Sequence, residues 1–334
     1  MLRLPRFRFL VPKTLSDAVS AVADGGPDAM VVAGGTDLYP NMKRRHQTPK
    51  TLVALRKLRE LRAIDGDPKG GLRIGASVTL TDIAEDKRVA SAYPFLAQTM
   101  RLISTPVLQN MGTIGGNLCL DTRCTYYNQN YEWRKAISFC MKKDGDTCWV
   151  APGSSRCWAV SSSDSAPVMI AIGARVKLVS SKGERVIRAE EMYRDDGIAY
   201  LAKRPDEVLT EVLLPPVNGW SATYHKLRRR GSFDFPVLGV AAWVKWGKDK
   251  VVEDVRVVLG AVASHPVEEK AVADVLRGKP MTEALIVEAA KTAQKPAKPL
   301  NNTDFVANWR KHVAQVYIAR ALRELAGLTE PRLP

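Results

Sequence analysis

Cysteines are concentrated in one short stretch of the 334-residue chain. Four of the five fall within 34 residues, at spacings of 16, 8 and 9, and the fifth, Cys119, lies just before them. Four thiolates can hold either zinc or an iron–sulfur cluster. The four cysteines are Cys124, Cys140, Cys148 and Cys157.

The spacing of these cysteines separates the possible sites. The short Cys-x₂-Cys pairs of structural zinc sites are missing, and Cys119-x₄-Cys124 lacks the next cysteine of a plant-type [2Fe–2S] motif. Disulfides are disfavoured in a cytoplasmic protein. A [4Fe–4S] cluster tolerates irregular spacing and is therefore favoured, with zinc and unligated thiols left open.

Two glycine-rich loops could bind a phosphate-bearing ligand. Gly34-Gly35-Thr36-Asp37 follows an apolar strand pattern, and Gly112-Thr113-Ile114-Gly115-Gly116-Asn117 follows a helical one. Paired glycines let the backbone approach a ligand closely, and successive free N–H groups form an anion site. Neither loop has the Gly-x-Gly-x-x-Gly or Walker lysine pattern. Either loop alone could be a simple tight turn, but the two together predict a dinucleotide whose diphosphate they both contact.

The elements that position these loops alternate between strand and helix patterns. Thr14 and Asp17 form a capping-box pattern at the start of a helix. The apolar run 166–174 is interpreted as a buried strand, and Pro215-Pro216 as a domain boundary. Further strands are predicted at 29–33, 51–55, 72–75, 176–179, 207–214, 221–226, 237–246 and 251–262, and helices at 81–86, 94–102 and 308–325.

The charge and composition narrow the class of protein. Hydrophobic residues make up 46% and charged residues 25%, which is ordinary globular composition. No apolar run approaches the roughly 20 residues of a membrane-spanning helix, and the N-terminus lacks a signal-peptide pattern. We therefore expect a cytoplasmic protein without a transmembrane segment.

Two basic stretches contribute to the net charge of +15. Without a helix-turn-helix, zinc-finger or RNA-binding motif, they favour an acidic protein or an anionic cofactor over nucleic acid. The stretches comprise Lys43, Arg44, Arg45, Arg56, Lys57, Arg59 and Arg62, and then Lys226, Arg228, Arg229 and Arg230.

Both glycine loops resemble the FAD-binding loops of the medium subunit in the xanthine oxidase and carbon monoxide dehydrogenase family. Ser163-Asp164, the strand around Leu209 and the segment around Lys226 are similar to further motifs of that family, in the same order. The resemblance implies an α+β fold: a two-part PCMH/vanillyl-alcohol-oxidase-type FAD-binding domain (1–216) and a smaller CO dehydrogenase flavoprotein-like C-terminal α+β domain (217–334). The implied FAD-binding residues are Val32, Ala33, Gly34, Gly35, Thr36, Asp37, Leu38, Gly112, Thr113, Gly115, Gly116, Asn117, Asp164, Leu209 and Lys226.

An insertion of roughly 40 residues separates two motifs that lie close together in most members of that family. Asn117 and Asp164 are 47 positions apart, and all four clustered cysteines lie between them. The insertion (about 120–160) resembles that of the β subunits of 4-hydroxybenzoyl-CoA reductases. This narrower resemblance implies a [4Fe–4S] cluster on Cys124, Cys140, Cys148 and Cys157, with Cys119 as a spare thiol.

The resemblance implies an oxidoreductase subunit that relays electrons and has no catalytic residue of its own for the organic substrate. It implies a large molybdopterin-binding subunit, a small subunit with two [2Fe–2S] clusters, and a dimer of heterotrimers. In the first hypothesis, ferredoxin supplies electrons for dehydroxylation of 4-hydroxybenzoyl-CoA. The alternative is an oxidative hydroxylase of an N-heterocycle or aldehyde that passes electrons outward. A remote alternative is a zinc-stabilised scaffold that binds nucleic acid.

Overall fold

The computed structural model describes residues 3–293 and 297–329. The chain begins with a parallel three-stranded sheet of order β1-β3-β2. Thr14 starts the first helix with the predicted capping box, because its hydroxyl accepts from the Asp17 N–H and the Asp17 carboxylate accepts from the Thr14 N–H, both at 3.1 Å. The elements are β1 (Arg8–Leu10), α1 (Leu15–Gly25), β2 (Ala29–Val32), α2 (Leu38–Lys43) and β3 (Thr51–Ala54).

An antiparallel five-stranded sheet of order β4-β5-β8-β6-β7 follows, with a long helical excursion between its second and third strands in sequence. The second glycine loop and the insertion lie within this excursion, whereas the first glycine loop precedes the sheet in sequence. The elements are β4 (Ile64–Asp67), β5 (Gly71–Gly75), α3 (Leu80–Glu85), α4 (Lys87–Ala92), α5 (Pro94–Leu102), α6 (Pro106–Gln109), α7 (Ile114–Leu118), α8 (Tyr131–Ala136), α9 (Ser165–Ala171), β6 (Arg175–Ser180), β7 (Gly183–Arg188) and β8 (Val208–Leu213).

The C-terminal part is an antiparallel four-stranded sheet of order β12-β11-β10-β9, covered by helices. Its core is formed by apolar residues of β10 and β11 packed against the last three helices. The elements are β9 (Trp220–Leu227), β10 (Leu238–Trp246), β11 (Val252–Gly260), β12 (Val267–Glu268), α10 (Ala271–Leu276), α11 (Glu283–Ala293) and α12 (Ala307–Ala326).

The run 166–174 corrects one sequence prediction, because its first part is helix α9 and not a strand. Every residue of α9 is buried, since the helix packs against β10 and β11 of the C-terminal sheet as well as against the helices of the FAD-binding part. A helix that is apolar on all sides shows no 3.6-residue periodicity, so its sequence cannot be told from that of a buried strand.

The architecture confirms the α+β fold predicted from the sequence. The two larger sheets are antiparallel and are accompanied by helices, and the proline pair at 215–216 lies between β8 and β9. Among the helices that the structure describes, none combines the length and apolarity required to cross a membrane.

A buried carboxyl at the start of the C-terminal helices makes stability depend on pH. Glu269 is 1% exposed, and neither of its carboxylate oxygens has a hydrogen-bond partner among the described residues. Burial raises the pKa of Glu269 to about 8 from an ordinary value of 4.5. The folded state therefore holds a proton that the unfolded chain releases, so this contribution to stability is complete below about pH 4.5 and is lost as the pH rises through about 8.

We expect Glu269→Gln to remove this dependence, because the amide is close in shape and carries no charge. Relative to the wild type, the variant should gain about 2–4 kcal/mol of unfolding free energy between about pH 5 and about pH 9, measured by urea denaturation. Glu268→Gln, at the less buried neighbouring position, serves as the control. A Glu269→Gln effect that is equal at both pH values would contradict the assignment.

Candidate functional site

The first glycine loop presents unpaired backbone donors at the end of a strand. Among the hydrogen bonds of the described residues, none engages the N–H groups of Gly34, Gly35 or Thr36. Gly35 has φ +70°, a conformation that favours glycine. The loop then enters α2, where the Asp37 carbonyl accepts from the Asn41 N–H at 3.2 Å. Successive free N–H groups of this kind suit a pyrophosphate.

The second glycine loop differs from the prediction, because most of its N–H groups are already engaged. Thr113 caps helix α7, with its hydroxyl accepting from the Gly116 N–H at 3.1 Å. The N–H of Gly115 donates to the carbonyl of Ala76 at 2.9 Å, and that of Gly112 to Leu108 at 2.7 Å. This loop therefore offers close backbone approach and side chains more than free amide donors.

The structure brings the two loops into direct contact. A Cβ added to Gly34 would collide with the carbonyl oxygen of Met111, and one added to Gly112 would lie 3.6 Å from Thr36 Oγ1. Only glycine at position 34 permits this approach of one backbone to the other. The two loops are thus neighbours in the fold, as a ligand that both contact would require.

Asn117 connects the second loop to the Ser-Asp motif across the insertion. Its Oδ1 accepts from Ser163 Oγ at 2.9 Å, from Ser165 Oγ at 2.6 Å and from the Ser165 N–H at 3.1 Å. These three bonds fix the side-chain amide and leave its NH₂ group available to a ligand. Two motifs far apart in sequence therefore belong to one site.

Asp164 and Lys226 form a buried ion pair at the junction with the C-terminal sheet. Lys226 Nζ donates to Asp164 at 2.8 Å and to the Leu102 carbonyl at 3.0 Å, and Tyr224 donates to Asp164 at 2.8 Å. The Lys226 and Asp164 side chains are 2% and 4% exposed. Burial raises the pKa of Asp164, and the Lys226 ammonium opposes that rise. Lys226 is thus not part of an exposed basic stretch.

The remaining predicted FAD residues lie along the same elements. Val32 is buried at the end of β2, and Ala33 and Leu38 flank the first loop. Leu209 is a buried residue of β8, and its neighbour Thr210 accepts the N–H of Ala76, the residue on which the second loop rests.

The insertion leaves and rejoins the FAD-binding part through one paired neck. Arg123 and Val160 exchange two backbone hydrogen bonds, of 2.8 and 2.7 Å. The C-terminal part holds this neck, because Asn302 accepts from the Thr125 N–H at 2.9 Å and donates to the Trp158 carbonyl at 2.6 Å. The insertion is therefore anchored to both parts of the chain.

The four clustered cysteines line one void inside the insertion. This small space is partly open to solvent, and all four cysteine side chains border it. Each is about 5–6% exposed, and all five cysteines of the chain are free thiols. Those bordering the void are Cys124, Cys140, Cys148 and Cys157, whereas Cys119 does not contribute.

A backbone donor already points at one of the sulfur atoms. The N–H of Ala159 donates to Cys157 Sγ at 3.4 Å. Hydrogen bonds to sulfur are a common feature of iron–sulfur sites. Burial raises the pKa of Cys124 to about 12 and that of Cys157 to about 11, so metal binding must displace protons.

The four thiols do not form a ready-made metal site. In the described part of the chain, no group of three or more His, Cys, Asp or Glu side chains converges closely enough to hold a metal ion. Four thiolates are the ligand number that either a zinc ion or a [4Fe–4S] cluster takes.

A buried cation, not foreseen from the sequence, also borders the void. Lys142 Nζ donates to Asp121 at 2.8 Å, to Thr122 Oγ1 at 2.7 Å and to the Gly197 carbonyl at 2.6 Å. A side chain at Gly197 would lie 2.7 Å from Cys157 Sγ, so this glycine makes room for the sulfur. A lysine is usually a solvated surface charge, so the sequence does not predict that Lys142 is buried.

The basic stretches are only partly free. Arg229 pairs with Asp304 at 3.0 Å and Arg230 with Asp234 at 3.0 Å. The earlier stretch around Lys43 and Lys57 remains exposed. The cationic surface is therefore smaller than the sequence predicted.

Two family models match consecutive parts of the chain. The FAD binding domain in molybdopterin dehydrogenase matches residues 5–217, and the CO dehydrogenase flavoprotein C-terminal domain matches residues 222–325. The chain belongs to this family of molybdenum-enzyme flavoproteins. As a flavoprotein of this family it binds FAD and serves as the electron-transfer subunit of a molybdenum oxidoreductase.

Individual relatives agree with this family along nearly the whole chain. The flavoprotein is 33% identical to the aldehyde oxidoreductase FAD-binding subunit PaoB of Escherichia coli K12, over 82% of this chain and 88% of the relative. It is 28% identical to the carbon monoxide dehydrogenase medium chain of Afipia carboxidovorans, over 95% of each. It is also similar to a solved chain of Cu,Mo-CO dehydrogenase, with a TM-score of 0.79, 25% identity, and coverage of 97% and 99%.

We expect Gly34→Ala to separate the two glycine loops of the flavoprotein, because the added methyl group meets the Met111 carbonyl. The variant should lose about 1–3 kcal/mol of stability and most of its FAD, measured by urea unfolding and by flavin content after gel filtration. Gly231→Ala is the matched control, since a Cβ there meets nothing within 4 Å. Normal flavin content in Gly34→Ala would show that the contact between the loops does not matter for FAD.

Proposed function

We propose that this flavoprotein passes electrons from a molybdenum-containing partner to an external carrier through FAD and a [4Fe–4S] cluster. The cluster would be held by the insertion, and the FAD by the two glycine loops with Asn117, Asp164, Leu209 and Lys226. The observation that carries the proposal is the void bordered by four buried cysteines beside a family-typical FAD site.

The residues of the glycine loops support the FAD part of the proposal. The free N–H groups of the first loop suit the diphosphate, and the Asn117 amide adds a donor beside the Ser-Asp motif. FAD supplies the exchange of one or two electrons, so it can connect a two-electron reaction to one-electron carriers. The chain contributes binding, orientation and a dry environment around Asp164 and Lys226.

The relatives favour outward electron flow. Their names describe an aldehyde oxidoreductase, a carbon monoxide dehydrogenase and a nicotine 6-hydroxylase. With an aldehyde or an N-heterocycle as substrate, the partner would oxidise a C–H group to C–OH with oxygen from water, releasing two electrons and two protons per turnover. The electrons would leave singly to a quinone, cytochrome or ferredoxin. A large molybdopterin subunit and a small 2×[2Fe–2S] subunit complete the proposed assembly.

A second candidate is favoured by the cysteine spacing alone. The 16-8-9 pattern resembles that of 4-hydroxybenzoyl-CoA reductases, in which two electrons and two protons would replace the phenolic hydroxyl by hydrogen and release water. Ferredoxin would be the donor, and the exposed basic residues around Lys43 would suit an acidic protein.

Cofactor analysis tests the proposal. We expect the anaerobically purified complex to contain about one FAD and about eight iron atoms per flavoprotein chain, without zinc, because the two [2Fe–2S] clusters of the small subunit add about four to those of the insertion. Cys157→Ser should lose about half of this iron, whereas Cys119→Ser should retain all of it, because Cys119 does not border the void. Zinc in place of iron, or equal iron loss in both variants, would refute the proposed cluster.

Turnover assays separate the two candidates. We expect the assembled complex to reduce a one-electron dye when given an aromatic aldehyde or an N-heterocycle, with two dye molecules reduced per substrate oxidised. The comparison is 4-hydroxybenzoyl-CoA with a low-potential donor under anaerobic conditions. Formation of benzoyl-CoA without dye reduction by the other substrates would reverse the preferred direction.

A further inference from the structure

One buried arginine lies between the first glycine loop and the four-cysteine insertion. The backbone of Arg123 forms the neck with Val160, and the next residue is Cys124, which borders the void. The Arg123 side chain is 7% exposed and forms an ion pair with Asp37 of the glycine loop. Arg123 therefore contacts the FAD-binding loop and is covalently attached to a cysteine of the other site.

The ion pair belongs to a closed network. Arg123 Nη1 donates to Asn41 Oδ1 at 3.0 Å, and Asn41 Nδ2 donates to Asp37 Oδ2 at 2.9 Å. Asn41 is fully buried in α2. Each member thus fixes the other two, and a charge-assisted contact of this kind is more directional than a neutral one.

A residue of the C-terminal part contacts the Arg123 side of the network. The guanidinium of Arg123 lies 4.8 Å from the ring centroid of Phe235, which follows β9. Burial lowers the pKa of Arg123, but an arginine remains charged at any ordinary pH. Removing either charge would leave the other in a poorly hydrated position, which is strongly unfavourable.

Asp37 directly follows the residues whose N–H groups are free. Its position determines how Gly35 and Thr36 enter α2, because the Asp37 and Gly35 carbonyls accept the first bonds of that helix. A displacement of Cys124 moves Arg123, and Arg123 holds Asp37. The conformation of the cysteine insertion is therefore linked to that of the FAD-binding loop.

We propose that Arg123 is a positioning residue that couples the two cofactor sites, so that a filled cysteine site strengthens FAD binding. This inference rests on the proposed function, because it requires a cluster in the insertion. Coupling between two sites is reciprocal, so FAD strengthens cluster binding by the same factor.

The test compares FAD affinity with and without the cluster. The flavoprotein in its complex is freed of FAD, and half is freed of iron by anaerobic oxidation with a chelator. Flavin fluorescence then gives the FAD dissociation constant of each form. We expect the iron-loaded wild type to bind FAD about 10-fold more tightly than the iron-free form, and the two forms of Arg123→Gln to bind it equally.

Three further variants separate coupling from general damage. Asp37→Asn breaks the same contact from the glycine loop and should also abolish the ratio, even if it changes FAD affinity directly or if Arg123→Gln does not fold. Arg123→Lys keeps the positive charge but loses the planar guanidinium, and it should restore part of the difference in FAD affinity between the iron-loaded and iron-free forms. Arg134→Gln removes another buried arginine of the insertion, one that faces Asp144 and the Arg44 carbonyl, and should keep the ratio.

The outcomes distinguish this inference from the proposed function. A wild-type complex that holds only the iron of the small subunit refutes the cluster and the coupling together. Iron in the insertion of the wild type, with an unchanged ratio in both Arg123→Gln and Asp37→Asn, refutes the coupling alone. A ratio lost equally in Arg134→Gln assigns the effect to the insertion as a whole and overturns the role of Arg123.

Discussion

The hydrogen bonds accepted by Asn117 are the constraint on which the rest of the site depends. They join the second glycine loop to Ser163 and Ser165 and so require the intervening chain to return to its starting point. The neck formed by Arg123 and Val160, which lie between Asn117 and Ser163 in sequence, brings the two ends of the insertion together. An insertion of about 40 residues is tolerated because loop closure costs free energy only logarithmically with length.

A buried ion pair and the buried helix α9 join the FAD-binding part to the C-terminal part of the chain. Lys226 belongs to the C-terminal sheet, whereas Asp164 and the Leu102 carbonyl belong to the FAD-binding part. Helix α9 lies between the same two parts, with every residue buried. A partly polar, partly apolar junction of this kind gives a defined orientation, because the ion pair is satisfied in only one register.

The sequence predicts the features that are local. The capping box at Thr14 and most strands follow from residue types and short spacings. It fails where tertiary environment decides: α9 resembles a strand because it is buried on all sides, and Lys226 resembles a surface charge because its partner lies 62 residues away. The bond from the Gly115 N–H to Ala76 and the bonds of Arg123 and Lys142 likewise depend on long-range contacts, and these leave no pattern in the sequence.

Gly197 shows that the cysteine site is not confined to the inserted segment. It lies well outside the insertion, yet its missing side chain accommodates Cys157 Sγ, and its carbonyl accepts from Lys142. Asn302, still further along the chain, holds the neck. Transfer of this insertion to another flavoprotein of the family would therefore also require the equivalents of Gly197 and Asn302, which lie far from it in sequence. The insertion and the residues outside it that support it must therefore change together.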